Sequence, residues 1–151
     1  MSPGGSILIV DDEFGVRESL RMILKPFYSL YTVPDGKEAL KFIQEREIDV
    51  ITLDLKMPGL SGIETLREIR KMNKDIDIII ITAYGSVENA KEAVSYGVRD
   101  FITKPFNPAE IYHIMNRVFE SRNNKMKIKN LVQKIENLSL EGLSSLSHDR
   151  K

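Results

Sequence analysis

The sequence contains no cysteine in its 151 residues, which excludes a disulfide framework, a zinc–thiolate site and a cysteine nucleophile. Long apolar runs are also missing. The longest uninterrupted ones, Ile7–Val10 and Ile78–Ile81, are far shorter than the roughly 20 residues of a membrane-spanning helix. No charged-then-apolar leader opens the chain. These absences predict a cytoplasmic protein with no membrane partner.

An excess of charge of either sign is absent as well, since 22 Lys and Arg balance 22 Asp and Glu. The charge is distributed unevenly along the chain, because residues 117–151 carry a net charge of +4 and residues 1–116 carry −4. Neither value is typical of a nucleic-acid-binding chain, and the sequence has no helix-turn-helix, P-loop or basic stripe. We therefore expect no direct contact with nucleic acid.

Short apolar and β-branched runs recur five times along the chain, and segments with a helical period separate them. The predicted strands are Ile7–Val10, Leu30–Val33, Val50–Leu53, Ile78–Ile81 and Asp100–Thr103. Strict alternation of strand and helix predicts an α/β domain, with a parallel sheet and helices on both faces. Ligands of such sheets bind beyond the carboxyl ends of the strands.

Polar residues follow four of these strands at the point where each strand ends. They are Asp11-Asp12-Glu13, Asp54, Thr82-Ala83 and Lys104-Pro105-Phe106. Any one of them alone is typical of a turn or a helix cap. Their coincidence at four strand ends favours one site, where carboxylates suit Mg²⁺ and a lysine suits an anionic oxygen.

These motifs, together with Met57-Pro58-Gly59 and Gly62, resemble the response-regulator receiver domain of two-component signalling over about residues 6 to 120. The resemblance implies a flavodoxin-like doubly wound sheet of strand order 2-1-3-4-5. It also implies that Asp54 accepts a phosphoryl group from a phosphohistidine of a histidine kinase. Such a chain catalyses its own phosphorylation and dephosphorylation only, so we do not expect an enzyme.

The resemblance assigns roles residue by residue. Mg²⁺ ligands are expected from Asp11, Asp12, Asp54 and the backbone carbonyl of Lys56, and phosphoryl contacts from Lys104, Thr82 and Ala83. Thr82 and Phe101 are expected to switch, and the Lys104–Pro105 peptide bond is expected to be cis. The face built by helix 4, strand 5 and helix 5, near Ser86–Tyr96 and Phe101–Tyr112, would then control an output domain or a partner protein.

Two positions that tune dephosphorylation in the family are Lys56 and Tyr84 here. Neither is an acid or an amide that would orient water, so we expect a long-lived phosphoryl group.

Two other functions compete with this interpretation. A Mg²⁺-dependent aspartyl phosphohydrolase also uses an aspartate nucleophile, but typically in an Asp-x-Asp motif on the first strand, where this chain has adjacent Asp11 and Asp12. A receiver used only for docking would have lost part of the acidic set or Lys104, and both are intact.

The predicted domains are a flexible leader at 1–6, a receiver at 7–120 and a helical tail at 121–151, leading to an output domain outside this chain. Apolar residues recur in the tail at 3-4-3 spacing: Ile128, Leu131, Ile135 and Leu138. This pattern leaves two alternatives, a homodimer through residues 121–140 or a helix packed on its own domain. Asn123-Asn124 predicts a helix break, and the composition after Ser139 predicts the helix end.

Ser147-His148-Asp149 resembles a histidine-kinase phosphoacceptor box, but Arg150 departs from it and a solvated histidine is the preferred interpretation.

Overall fold

A computed structural model describes residues 4–73, 75–83 and 87–149 of the chain. Within these ranges, five strands alternate with five helices. The elements are β1 (Ser6–Val10), α1 (Phe14–Leu24), β2 (Ser29–Val33), α2 (Gly36–Glu45), β3 (Val50–Leu53), α3 (Gly62–Met72), β4 (Asp77–Thr82), α4 (Val87–Ser95), β5 (Asp100–Thr103) and α5 (Pro108–Asp149). Each strand lies within one residue of its predicted bounds, because continuous apolar runs bounded by polar residues are a strong strand signal.

The five strands form one parallel sheet in the order β2-β1-β3-β4-β5, which confirms the predicted fold class. In the register, Ile7 pairs with Leu30 on one side and with Val50 on the other. The strand order reverses between β1 and β3, so a crevice is expected beyond their carboxyl ends. The fold thereby places the ends of β1, β3, β4 and β5 around one crevice.

The core lies on both faces of the central strands, as continuous apolar runs require in a covered parallel sheet. Side-chain caps mark the N-termini of two helices that pack on this core, α2 and α3. The Asp35 carboxylate accepts a hydrogen bond from the Glu38 N–H at 2.8 Å, and the Ser61 hydroxyl accepts one from the Glu64 N–H at 3.2 Å. Between α4 and β5, Gly97 takes a positive φ of 75°, a conformation that favours glycine and ends the last turn of α4.

The first strand begins one residue earlier than predicted, so the proposed leader at 1–6 is too long. Ser6 lies in β1, where its N–H donates to the Asp49 carboxylate at 2.9 Å. The Gly4 N–H donates to the Phe27 carbonyl at 2.9 Å. These hydrogen bonds hold a segment whose Gly and Ser composition suggested flexibility, and residues 1–3 of the leader lie outside the described residues.

The helical tail differs from its prediction in continuity. The chain forms two compact units, Met1–Met115 and Asn116–Lys151. Helix α5 runs unbroken past Asn123-Asn124 and past Ser139, so both predicted interruptions were wrong. Asparagine and serine only lower helix propensity by a fraction of a kcal/mol, and the Lys, Leu, Ile and Glu around them are strong or tolerated helix formers. No helix among the described residues is long and apolar enough to cross a membrane.

Candidate functional site

Two buried carboxylates lie at the carboxyl edge of the sheet, and one of them, Asp54, lines a cleft there. Asp11 directly follows β1 and is 2% exposed, and Asp54 directly follows β3 and is 4% exposed. Backbone pairing fixes both residues, because the Asp54 N–H donates to the Val10 carbonyl at 3.1 Å and the Asp11 N–H to the Val33 carbonyl at 3.3 Å. Two ionisable groups buried this deeply need polar partners.

Lys104 supplies the countercharge from the end of β5. Its Nζ lies 2.7 Å from Asp11 Oδ2, 3.0 Å from Asp54 Oδ2 and 3.5 Å from Glu13 Oε1. Its side chain is only 10% exposed, so these ion pairs are shielded from water. The Lys104–Pro105 peptide bond is cis, as predicted.

A hydroxyl and a backbone amide complete the contacts of the second carboxylate. The fully buried Thr82 hydroxyl donates to Asp54 Oδ1 at 2.7 Å, and the Lys56 N–H donates to the same oxygen at 3.1 Å. Both oxygens of Asp54 are therefore held by donors, Oδ1 by these two groups and Oδ2 by Lys104. The carboxylate is fixed in one orientation at the cleft.

Burial and hydrogen bonding shift the pKa values of two residues in this cluster, Asp11 and Lys104. Burial raises the pKa of Asp11 above its ordinary value, although the hydrogen bonds from Lys104 and from the Glu13 N–H pull in the opposite direction. Burial alone would lower the pKa of Lys104, but its hydrogen bonds to Asp11 and Asp54 outweigh that effect and raise it. The lysine therefore stays protonated at neutral pH, and the acidic cluster favours binding of additional positive charge.

The cleft has a volume of about 490 Å³. Its lining residues are Asp12, Glu13, Asp54, Lys56, Met57, Pro58, Thr82, Ala83 and Lys104. Carboxylate oxygens of four residues lie within 4.8 Å of one another: Asp11, Asp12, Glu13 and Asp54. This all-oxygen donor set, with two exposed and two buried members, fits a hard cation such as Mg²⁺ that keeps part of its water shell.

The structure brings together the residues predicted for the site, with two qualifications. Phe101 lies away from the cleft, half-buried on β5 and packed against the main apolar core. Tyr84 lies outside the described residues. The functional roles of these residues stay predictions.

Three residues contribute to the site although no role was assigned to any of them from the sequence, even where Glu13 and Gly62 stood in its motifs. Glu13 approaches both Lys104 and the acidic cluster, and its place beside Asp11-Asp12 after β1 was an available signal. Arg17 donates to the Asp11 carbonyl at 2.8 Å from one turn into α1, which no local pattern indicates. At Gly62, a Cβ would overlap the backbone of Asp54, so only glycine lets the loop return this closely.

A five-stranded parallel sheet of order 2-1-3-4-5, with an acidic cleft and a lysine at its carboxyl edge, defines a doubly wound α/β domain of the flavodoxin-like class. Comparison with known families makes the assignment specific. The model of the response regulator receiver domain matches residues 7–116, and the chain belongs to this family.

Individual relatives agree with this assignment. The chemotaxis protein CheY of Thermotoga maritima is 35% identical over 117 residues, which cover 76% of this chain and 98% of that protein. The regulatory protein AtoC of Escherichia coli is 35% identical over 131 residues, which cover 84% of this chain but 28% of the longer relative. A CheY-like receiver domain structure from Methanospirillum hungatei superposes with a TM-score of 0.78 at 26% identity, over 80% of this chain and 98% of that one.

Proposed function

We propose that this chain accepts a phosphoryl group on Asp54 from the phosphohistidine of a histidine kinase. The observation that carries the proposal is the Asp54 carboxylate, buried at the cleft and held by the Thr82 hydroxyl and the Lys104 ammonium. An Asp54 oxygen forms the new P–O bond while the P–N bond to the donor imidazole breaks. The imidazole nitrogen keeps the electron pair, and the product is an acyl phosphate.

Charge neutralisation would do most of the catalytic work, because the phosphoryl group is loosely bound and anionic in the transition state. Lys104, already within 3.0 Å of Asp54, would pair with a phosphoryl oxygen. Asp11, Asp12, Asp54 and the backbone carbonyl of Lys56 would hold Mg²⁺, which supplies further positive charge to the phosphoryl oxygens. The donor set and the cleft geometry support this assignment.

Thr82 is suited to report the modification. Its hydroxyl donates to Asp54 Oδ1, so a phosphoryl group on this carboxylate would compete for the same donor. We propose that Thr82 turns to a phosphoryl oxygen, that the Ala83 N–H donates to another, and that Phe101 packs further inward. Since Phe101 has no hydroxyl, packing alone would stabilise its inward state. The altered surface would comprise α4, β5 and the start of α5, and would control an output domain or a partner protein in the cytoplasm.

The experiment is phosphorylation of the intact chain with Mg²⁺ and acetyl phosphate, followed by intact mass measurement. We expect one phosphoryl adduct, and none without Mg²⁺ or in Asp54→Asn. Asp75→Asn, an exposed aspartate outside the cleft, is the matched control and should be modified normally. If no adduct and no beryllofluoride complex formed on a folded chain, the docking-only function would replace this one.

The rival phosphohydrolase is tested in the same reaction. A receiver turns over its own phosphoryl group only, so phosphate release should stop at about one equivalent per chain on removal of the donor. Sustained hydrolysis of a small phosphoester such as p-nitrophenyl phosphate, lost in Asp54→Asn, would favour the enzyme.

The lifetime of the phosphoryl group is expected to be long. Lys56 lines the cleft with an exposed side chain that is neither an acid nor an amide, and Tyr84 supplies no carboxylate or amide either. The decay of the adduct after donor removal measures this directly, and a half-life of seconds would contradict the expectation.

We propose in addition that residues 121–140 associate with a second copy of the chain. These residues form an uninterrupted part of α5, and their apolar side chains are exposed. A helix that exposes a regular apolar stripe gains stability by burying it against a partner.

A further inference from the structure

The second unit carries a regular stripe of large apolar side chains, which we call the seam. It consists of Ile128, Leu131, Ile135 and Leu138, which are 63%, 58%, 57% and 57% exposed. Their 3-4-3 spacing places them on one side of α5, about 15 Å long at the helical rise of about 1.5 Å per residue. Isolated exposed apolar residues are common, but a continuous seam of four indicates a surface that is covered by another element.

We infer that the seam pairs with that of a second copy of this chain in a parallel, in-register two-stranded coiled coil. This inference rests on the proposed self-association and adds its geometry. The two isoleucines occupy a positions and the two leucines occupy d positions of consecutive heptads. Isoleucine at a with leucine at d is the combination that favours two parallel strands over higher oligomers.

The charges beside the seam are compatible with the parallel arrangement. In that register each g position faces the e position five residues later on the partner helix. Glu120 then faces Lys125 of the partner copy, and the symmetric pair forms on the other side. The next two pairs, Lys127 with Val132 and Lys134 with Ser139, contain no like charges, and the Lys127 stem can cover Val132.

The antiparallel arrangement matches the same charges less well. With the seams aligned so that each isoleucine packs against a leucine, each Lys134 faces the Lys134 of the partner copy near the centre. Lys127 would gain Glu141 of the partner copy, but the Glu120–Lys125 pairs would be lost. Pairing of like with like at the centre of a short interface is unfavourable, so the sequence selects the parallel form.

The first experiment measures the oligomeric state of the full chain by sedimentation equilibrium. We expect a dimer for the parent and a monomer for Leu131→Asp combined with Ile135→Asp, with the association constant lowered by about a thousandfold or more. Met126→Asp combined with Leu140→Asp is the matched control. These residues are 58% and 65% exposed but occupy f positions, so the control should remain dimeric. Phosphorylation of each variant shows that the first unit is folded.

The second experiment determines orientation and exploits the absence of native cysteine. Under oxidised glutathione, Leu138→Cys should form a disulfide-linked dimer, because the two d positions face each other in the parallel form. Leu140→Cys, on the far side of the helix, should not. Lys125→Glu should weaken the dimer a few-fold, and addition of Glu120→Lys should restore it.

The outcomes distinguish self-association from the parallel geometry of the dimer. A parent chain that is monomeric at concentrations of about 100 μM overturns both self-association and its geometry, as does equal disruption by the f-position control. A dimer in which Leu138→Cys crosslinks only with Ile128→Cys chains keeps the self-association and overturns the parallel geometry. None of these outcomes bears on phosphorylation of Asp54, which the mass measurement tests separately.

Discussion

Substitution of Lys104 by methionine removes the only charge that neutralises the two buried carboxylates within the described cluster. At an effective dielectric constant of about 20, the ion pairs of Lys104 at 2.7 Å and 3.0 Å are worth about 6 and about 5.5 kcal/mol before desolvation. The carboxylates of Asp11 and Asp54, no more than 4.8 Å apart, then repel each other by at least about 3.5 kcal/mol. Desolvation offsets much of the gross attraction, so we expect a net loss of about 3 kcal/mol in the free energy of unfolding.

The loss should depend on pH and on metal. In EDTA the loss should be largest at pH 7.5, because the charged form of Asp11 then lacks the countercharge of Lys104. It should shrink toward pH 5, because the pKa of Asp11 is raised by burial even in the parent and rises further without Lys104. Added Mg²⁺ should restore part of the stability by replacing the missing charge.

The assay is urea unfolding followed by far-ultraviolet circular dichroism and by tyrosine fluorescence. Lys56→Met is the matched control: this lysine lines the same cleft but its side chain is exposed, so the change should be below about 0.5 kcal/mol. The reasoning is refuted if Lys104→Met costs less than about 1 kcal/mol in EDTA at pH 7.5. It is equally refuted if the cost is independent of both pH and Mg²⁺.

Three further predictions follow from the same contacts. In EDTA at pH 7, Asp11→Asn should raise the free energy of unfolding, because a raised pKa in the folded state means that the charged carboxylate destabilises the fold. This gain should vanish as the pH falls below 3.8, the ordinary pKa of an aspartate. A gain that persists below that pH contradicts the raised pKa of Asp11. Gly62→Ala should lower the free energy of unfolding in urea by about 2 kcal/mol and slow phosphorylation by acetyl phosphate, because the added Cβ overlaps the Asp54 backbone. Gly15→Ala is the control: its Cβ would meet open space, so the change should be neutral or stabilising. Arg70→Ala should lower the free energy of unfolding by about 2 kcal/mol, because the guanidinium donates to the carbonyls of Ile76 at 2.6 Å, Tyr96 at 2.7 Å and Gly97 at 3.1 Å. Thermal unfolding tests this prediction, and Arg70→Lys should recover part of the loss.

Much of the fold could be predicted because its signals are local and repeated. The run Val50–Leu53 is apolar without interruption, which is typical of a strand covered on both faces, and it is one in the structure. The strand order came from the family resemblance of the motifs at the strand ends, since periodicity predicts a parallel sheet without ordering its strands. The predicted break at Asn123-Asn124 was wrong because low propensity at two positions does not interrupt a long helix rich in good helix formers.

The sequence predicted which residues form the site, but it did not predict all the contacts between them. Placement after strand ends identified Asp11, Asp54, Thr82 and Lys104, because carboxyl ends of parallel strands meet at one edge. Arg17 was missed because its bond to the Asp11 carbonyl depends on a helix trajectory that no local pattern encodes. Which lysine is buried against the carboxylates, Lys104 or the exposed Lys56, also depends on packing.

The sequence by itself determined the alternation of strands and helices, the chemistry of the groups at the strand ends and the apolar seam of the tail. These follow from side-chain type and spacing, which act over a few residues. Only the tertiary structure decided that the Thr82 hydroxyl and Lys104 hold opposite oxygens of Asp54, and that burial raises the pKa of Asp11. Those properties depend on contacts between residues far apart in the sequence, such as Lys104 and Asp54, 50 positions apart, and on exclusion of water. Both arise only when the sheet is assembled.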